Sequence, residues 1–276
     1  MKRIICVLAA ALCLLPAFAQ KKNVVLGKTS GNSGVSNQWV TKMKSGIMEG
    51  LTSTGRIDVV DGVTMKNLST TASEAIIQLR EAGAQYYMEA TLETITTSTE
   101  STTDGKTNYK AKMEYSYQLY DLSTGSVLSN KKCAHYGSSR NGSDEAISDT
   151  FSLVSTDIVS MVNNIFRVNA EIKAVNETHP KKGIKSVYLG AGTADGVTKG
   201  NIFEIFKIMD VAGEKITEKI GEMKVVEVKS AGLSLCTVTK GGKELQDAMD
   251  DEIPIQVTSR PPKDILGGIN DVLNSL

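Results

Sequence analysis

Histidine is almost missing from this 276-residue chain: there are two, His135 and His179, far apart in sequence. No Cys-x-x-Cys pair accompanies them, so neither of the usual routes to a transition-metal site has a foothold. Charge of one sign is lacking too. Thirty-one basic residues balance thirty-one acidic ones, giving a formal net charge of zero. That excludes a whole-chain attraction to nucleic acid or anionic lipid and leaves room only for a local patch. Serines are plentiful, yet none stands in G-x-S-x-G. Beyond the first twenty residues no apolar run is long enough to span a bilayer as a helix. What remains is a chain with 41% hydrophobic residues, enough to bury a core.

The first twenty residues read as a secretory leader. Lys2 and Arg3 precede the apolar run Ile4 to Leu15, Pro16 breaks it, and Ala17-Phe18-Ala19 fits a cleavage site. Residues 1–19 are expected to be removed, leaving Gln20 at the new terminus. Cys6 and Cys13 go with the leader, and the large Leu12 before Cys13 argues against lipid attachment there. The expected form is exported and periplasmic, with at most a peripheral outer-membrane association. Cys133 and Cys236 remain. Export would permit a disulfide, but the two fall in different expected domains and read as unpaired buried thiols.

The period of the apolar residues then sorts the chain. Asn23 to Leu26 is a strand. Trp39, Met43, Ile47 and Leu51, spaced by four, form one helical stripe. Ile57 to Val60 is a second strand, and Ser73 to Ala82 a second helix with Ala75, Ile76 and Leu79 inward. Strict alternation follows, through Tyr86, Met88, Ala90 and Leu92 and again through Tyr109, Ala111, Met113, Tyr115, Tyr117 and Leu119. Between these strands, Thr96 to Thr107 is expected to be a polar hairpin tip turning at Asp104-Gly105. A turn at Asp121 to Gly125 leads to a third strand ending near Tyr136. Glu89 and Glu93 are expected to face out. Ser143 is expected to cap one long helix with the stripe Ile147, Phe151, Val154, Ile158, Met161 and Ile165.

From about residue 167 the pattern changes to short strands divided by Gly, Asp and Lys turns, which predicts an all-β barrel or sandwich. Arg260-Pro261-Pro262 ends it. The tail from Asp264 carries Ile265, Ile269, Val272 and Leu276 on one side. It either packs back on its own protein or docks on a partner. The expected fold class is therefore α+β: an α/β domain with a mixed, largely antiparallel sheet and packed helices over residues 20–166, a small all-β domain over 167–259, and a Pro-led tail over 260–276.

Two glycine patterns imitate nucleotide sites. In VYLGAGTADGVTKGNIFEIF, Val187 to Phe206, Gly190 and Gly192 fit a dinucleotide fingerprint. Asp195 occupies the third glycine's place, and a β-rich stretch follows where a helix is needed. Gly192, Gly196 and Gly200, with Gly221 further on, therefore read as structural turn residues. Gly27-Lys28-Thr29 imitates the end of a phosphate loop, but Lys22 stands where its first glycine belongs, and the lysine reads as an exposed strand end. Asp250-Asp251-Glu252 reads as a solvated turn. No residue is assigned a catalytic, cofactor-binding or metal-binding role, and no enzyme and no cofactor are expected.

Two resemblances rest on these patterns. Residues Val187 to Phe206 and Ile220 to Gly241 resemble the C-terminal SH3-like barrel of the flagellar assembly protein FlgT. Gly192, Gly196, Val197 and Gly200 match its first part, and Gly221, Lys224, Val225 and Val228 its second. The helix from Trp39, Arg56 to Val60, Ala84 to Tyr87, the Ser/Thr-rich hairpin and Asp121 to Gly125 resemble the α/β domain shared by the curli secretion protein CsgG, the TolB N-terminal domain and outer-membrane activators of penicillin-binding proteins. The resemblance implies a role in binding envelope proteins or assembling into rings, without an active site. A curli-type pore is not implied, because the lipid cysteine is missing and the hairpin tip is polar. The resulting expectation is a non-enzymatic assembly or adaptor factor of an envelope complex, with envelope-protein partners, self-association open, and no nucleic acid. The alternative is a ligand-binding or enzymatic protein with a pocket between its domains, around Arg167 to His179. A third option is a secreted protein with no dedicated partner.

Overall fold

The computed structural model of the chain describes residues 21–65, 68–69, 71–103 and 105–261. The expected leader, the turn residue Asp104 and the tail with Ile265, Ile269, Val272 and Leu276 lie outside them.

The fold is mixed α and β, with two sheets. The first has the order β2-β1-β3-β4-β5. It begins with β1 (Lys22–Gly31), α1 (Asn37–Ser53), β2 (Ile57–Asp61) and α2 (Ala72–Glu81), and continues with β3 (Tyr86–Ser101), β4 (Thr107–Asp121) and β5 (Val127–Ser139). Strand β1 pairs in parallel with β2 and β3, and the rest is an antiparallel meander. The alternating residues do what period two requires. Met88, Ala90, Leu92, Met113, Tyr115, Tyr117 and Leu119 turn to one face and are buried. Met43, Ile47 and Leu51 of α1 pack on the same core, each contributing about 1.5–3 kcal/mol by burial. The opposite face is covered at one end by α2, where Ala75 and Leu79 meet Val25 and Tyr87.

Three expectations need correction here. The ladder between β3 and β4 runs on to the pair Ser101 and Thr107, so the long polar tip is mostly strand and the turn is short. Cross-strand main-chain bonds carry it despite its polarity. The Gly27-Lys28-Thr29 stretch lies inside β1, at an irregularity between Leu26 and Thr29, rather than at a strand end. There a Cβ on Gly27 would meet the Tyr87 ring 2.3 Å away. The single helix from Ser143 is broken into α3 (Ser143–Thr150) and α4 (Val154–Ile165) by a tight turn over Phe151–Leu153. The break seats Phe151 against Trp39, ring centroids 5.7 Å apart. Ser143 is the first helical residue rather than the cap; Gly142 precedes it, with no side-chain cap bond.

The second sheet is antiparallel throughout, in the order β6-β12-β9-β10-β11-β8-β7. Its strands are β6 (Asn169–Ala170), β7 (Ile172–His179), β8 (Gly183–Leu189), β9 (Ile202–Val211), β10 (Glu214–Ser230), β11 (Leu233–Lys240) and β12 (Ile255–Ser259). The segment is not purely β, because α5 (Gly242–Asp250) lies between β11 and β12. Only Leu245 and Ala248 of α5 are buried, so its period is too short and too polar to stand out in the sequence. The second sheet has its own core of Val187, Leu189, Phe203, Ile205, Met223, Val225, Cys236 and Val257.

Candidate functional site

The four turn glycines do not converge on one cradle. Gly192 donates its N–H to Asp195 Oδ2 at 2.8 Å, closing a one-turn helix over Thr193–Asp195. Gly200 donates to Val225 O at 2.9 Å. Gly221 marks the irregularity in the β9–β10 ladder, with Lys240 O 2.5 Å from where a Cβ would stand. Gly196 is the informative one. Its φ of +68° is left-handed, and a Cβ there would stand 2.1 Å from Thr54 O of the first sheet's half. The loop imitating a nucleotide site is thus a contact between the two halves.

Arg56 occupies that contact. Its Nη1 donates to Phe166 O at 3.3 Å, while its buried Nε has no hydrogen-bond partner among the described residues. Burial lowers the guanidinium's pKa, and the charge of Asp195 opposes this. A cleft of about 270 Å³ beside it is lined by Lys21, Lys22, Arg56, Phe166, Arg167 and Asp195. Arg167 is engaged already: Nε donates to Ser259 O at 2.7 Å and Nη2 to Glu204 Oε2 at 2.8 Å. The stretch Arg167 to His179, considered as a pocket wall, is not gathered there. Arg167 and Asn169 reach the cleft, but His179 lies at the end of β7, beside Lys182 and Lys185.

A polar cluster that sequence reading missed lies inside the first core. Asp157 Oδ2 accepts from Tyr115 Oη at 2.8 Å and lies 2.7 Å from His135 Nε2. Tyr115, Cys133, His135 and Asp157 are all buried. Burial pushes the Asp157 carboxyl up, but the hydrogen bond and charge of His135, with Tyr115 and Cys133, outweigh it and hold the carboxyl below its ordinary value. Burial, then the nearby Asp157 charge, pushes the Cys133 thiol up to about 12. These residue types could do acid–base chemistry; enclosed by packing, Tyr115, His135 and Asp157 satisfy one another's hydrogen bonds. One signal was readable: Cys133 and His135 share a strand face by period two, and Asp157 precedes Ile158 on the apolar stripe.

The surface offers a different feature. Strand β5 is the edge of the first sheet, 13 residues long. Ser138 donates its N–H to Asp149 Oδ2 at 3.3 Å rather than to β4. In an antiparallel ladder alternate residues direct both main-chain groups to the same side. Asn130, Lys132, Ala134 and Tyr136 therefore aim theirs outward. Along the edge Val127, Leu128 and Tyr136 are 51%, 37% and 56% exposed. Lys132 is held by Glu93 at 2.9 Å and Glu114 at 3.1 Å, and Lys112 pairs with Glu114 at 2.7 Å. Glu93 thus faces the polar side, as expected, but it is paired there.

No protein-family model matches the sequence, and no curated protein matches it. Among solved structures, a PelC dodecamer from Paraburkholderia phytofirmans is similar over 54% of this chain and 91% of its own, at 19% identity and TM-score 0.34. The hypothetical protein CT253 from Chlamydia trachomatis is similar over 52% and 97%, at 12% identity and TM-score 0.41. The LpoB C-terminal domain from Salmonella enterica is similar over 46% and 90%, at 17% identity and TM-score 0.28. With identities and TM-scores this low, the likeness carries no functional argument.

Proposed function

We propose that the chain is an exported, non-enzymatic cell-envelope protein that acts as an assembly or adaptor factor by binding other proteins. The observation that carries this reading is the edge of β5, where, among the described residues, outward main-chain groups without a partner and exposed apolar side chains lie side by side. Such an edge is a template for strand addition. The leader-like first nineteen residues support an envelope location. The complex served would be a curli-type secretion apparatus, a flagellar-type ring or the cell-wall synthesis machinery, following the CsgG-like and FlgT-like resemblances. On the same reading residues 20–166 and 167–259 are two domains, the second an SH3-like barrel, and separate cores support that division. The tail beyond Pro261 would be a second docking element.

The test places a photo-crosslinking amino acid at Lys132 in the exported chain and identifies what it captures in the envelope. The reading expects an envelope protein, captured from Lys132 and not from exposed Lys215 on the second sheet. Equal capture at both positions, together with saturable binding of a small molecule in the Arg56 cleft, would overturn it in favour of a ligand-binding protein.

A further inference from the structure

Where the two halves meet, positive charge is left over. Arg56 leads into β2 and stands beside Lys22 of β1, whose N–H donates to Arg56 O at 2.9 Å. Arg167 comes shortly after α4, and Asp195 ends the one-turn helix that follows Gly192. With Lys21 these side chains line the cleft of about 270 Å³, so its wall holds four cations and one acid.

Two of the cations have carboxylates of their own. Arg167 is bonded to Glu204 at 2.8 Å, and Lys21 pairs with Asp58 at 3.4 Å. A second cleft on Arg56 includes Arg260, whose charge is met by Glu222 at 3.1 Å. Arg56 differs from both of the other junction arginines. Among the described residues it has no ion pair, and Asp195 acts on it only through space. Its one described hydrogen bond runs from Nη1 to Phe166 O, while Nε lies over Gly196, 3.1 Å from where a Cβ would stand. A guanidinium shielded from water without a carboxylate is costly. Lys22 also has no ion pair among the described residues. Lys22 and Arg56 set against Asp195 leave a surplus of one positive charge.

We infer that this cleft binds a carboxylate, held by the Nη end of Arg56 with Lys22 as the second cation. The site goes beyond the strand-docking reading and does not depend on it. Phe166 lines the same cleft, so the Nη end of the fork lies at its wall. A carboxylate is planar and singly charged, which suits both a guanidinium fork and a surplus of one. A phosphate dianion would exceed that surplus and be repelled by Asp195. The volume admits the carboxylate and the first few carbons behind it. A free small acid and an acidic side chain of a bound protein present the same group.

The test follows the Nε–H signal of Arg56 by proton–nitrogen NMR of the exported chain, assigned through its contact with Gly196. Sodium acetate should move it saturably at millimolar concentration, whereas equal sodium chloride should not. Lys22→Gln should weaken acetate binding about two- to fivefold. Asp195→Asn, which keeps an acceptor for Gly192, should strengthen it by a similar factor. Arg56→Lys should weaken it about tenfold despite keeping the charge, because the fork is lost. Should Arg56→Lys not fold, the opposite shifts of the two charge variants decide. The blocked peptide acetyl-Gly-Asp-Gly-amide separates the sources: tighter binding than acetate assigns the site to a protein side chain, weaker binding to a free acid. No movement with acetate or peptide, equal movement with chloride, or inorganic phosphate binding tenfold tighter than acetate overturns the carboxylate site. The two readings fail separately. A silent acetate titration leaves the β5 edge standing, and loss of selective capture at Lys132 leaves the carboxylate site standing.

Discussion

The imidazole Nε2 of His135 lies 2.7 Å from Oδ2 of Asp157, inside the first core. One residue comes from a strand and the other from a helix, and both are buried. Removing one member strands the others. Asp157→Ala is expected to cost about 2–4 kcal/mol, because Tyr115 and His135 lose their shared acceptor. Urea unfolding followed by fluorescence measures it.

The same carboxyl makes stability depend on acid. Asp157 is held below its ordinary value in the fold, by hydrogen bonds that outweigh burial. A depressed folded pKa stabilises fully above the unfolded value, about 3.9, and that stabilisation is lost as pH falls through the lower folded value. Urea midpoints taken from about pH 6 downward should drop in that window. Asp157→Asn should flatten this part of the curve while lowering its plateau.

Glu222 is the corresponding acid in the second half. Lys219, Lys240 and Arg260 all reach it, at 2.8, 3.3 and 3.1 Å. Hydrogen bonds, first from Lys219 and then from Lys240, lower its pKa to about 2. Its contribution is therefore complete above the ordinary glutamate range and disappears as pH falls toward 2. Glu222→Gln should lower the thermal midpoint at neutral pH and lessen its response to added salt, read by calorimetry.

Gly196 and Gly200 separate two effects of glycine. Both have positive φ, +68° and +96°. Alanine at 200 meets open space and should cost only the left-handed conformation, about 1 kcal/mol. Alanine at 196 would add a collision with Thr54 O and should cost at least about 2 kcal/mol more. It should also speed proteolysis between Phe166 and Asn169, where the two halves join. Equal midpoints for the two variants would remove the interlocking role given to Gly196.

The two thiols are expected to be inert in the folded protein. Burial drives both Cys133 and Cys236 up to about 12, and only the thiolate reacts. Alkylation should be negligible in buffer and reach both in urea. A disulfide between them is expected to be missing on non-reducing mass analysis, since each belongs to a separate core.

Most of the first sheet was legible because its apolar residues keep a strict period. Met43, Ile47 and Leu51, and Met113 to Leu119, went inward as their spacing required. Spacing also showed where two glycine-rich stretches depart from the nucleotide-binding patterns. Sequence alone could not see the break at Phe151, since a helical stripe continues through it and the Trp39 ring that stacks on Phe151 is distant in the chain. Nor could it see α5, whose buried face is two residues. The Tyr115, His135 and Asp157 cluster joins residues 22 and 42 positions apart, and no local pattern encodes such a distance. The free rim of β5 was also invisible, because which strand ends a sheet depends on long-range pairing. Local period is set by neighbouring side chains and is written in the sequence, whereas the order of strands, the polar core and the open edge are properties of the packed chain.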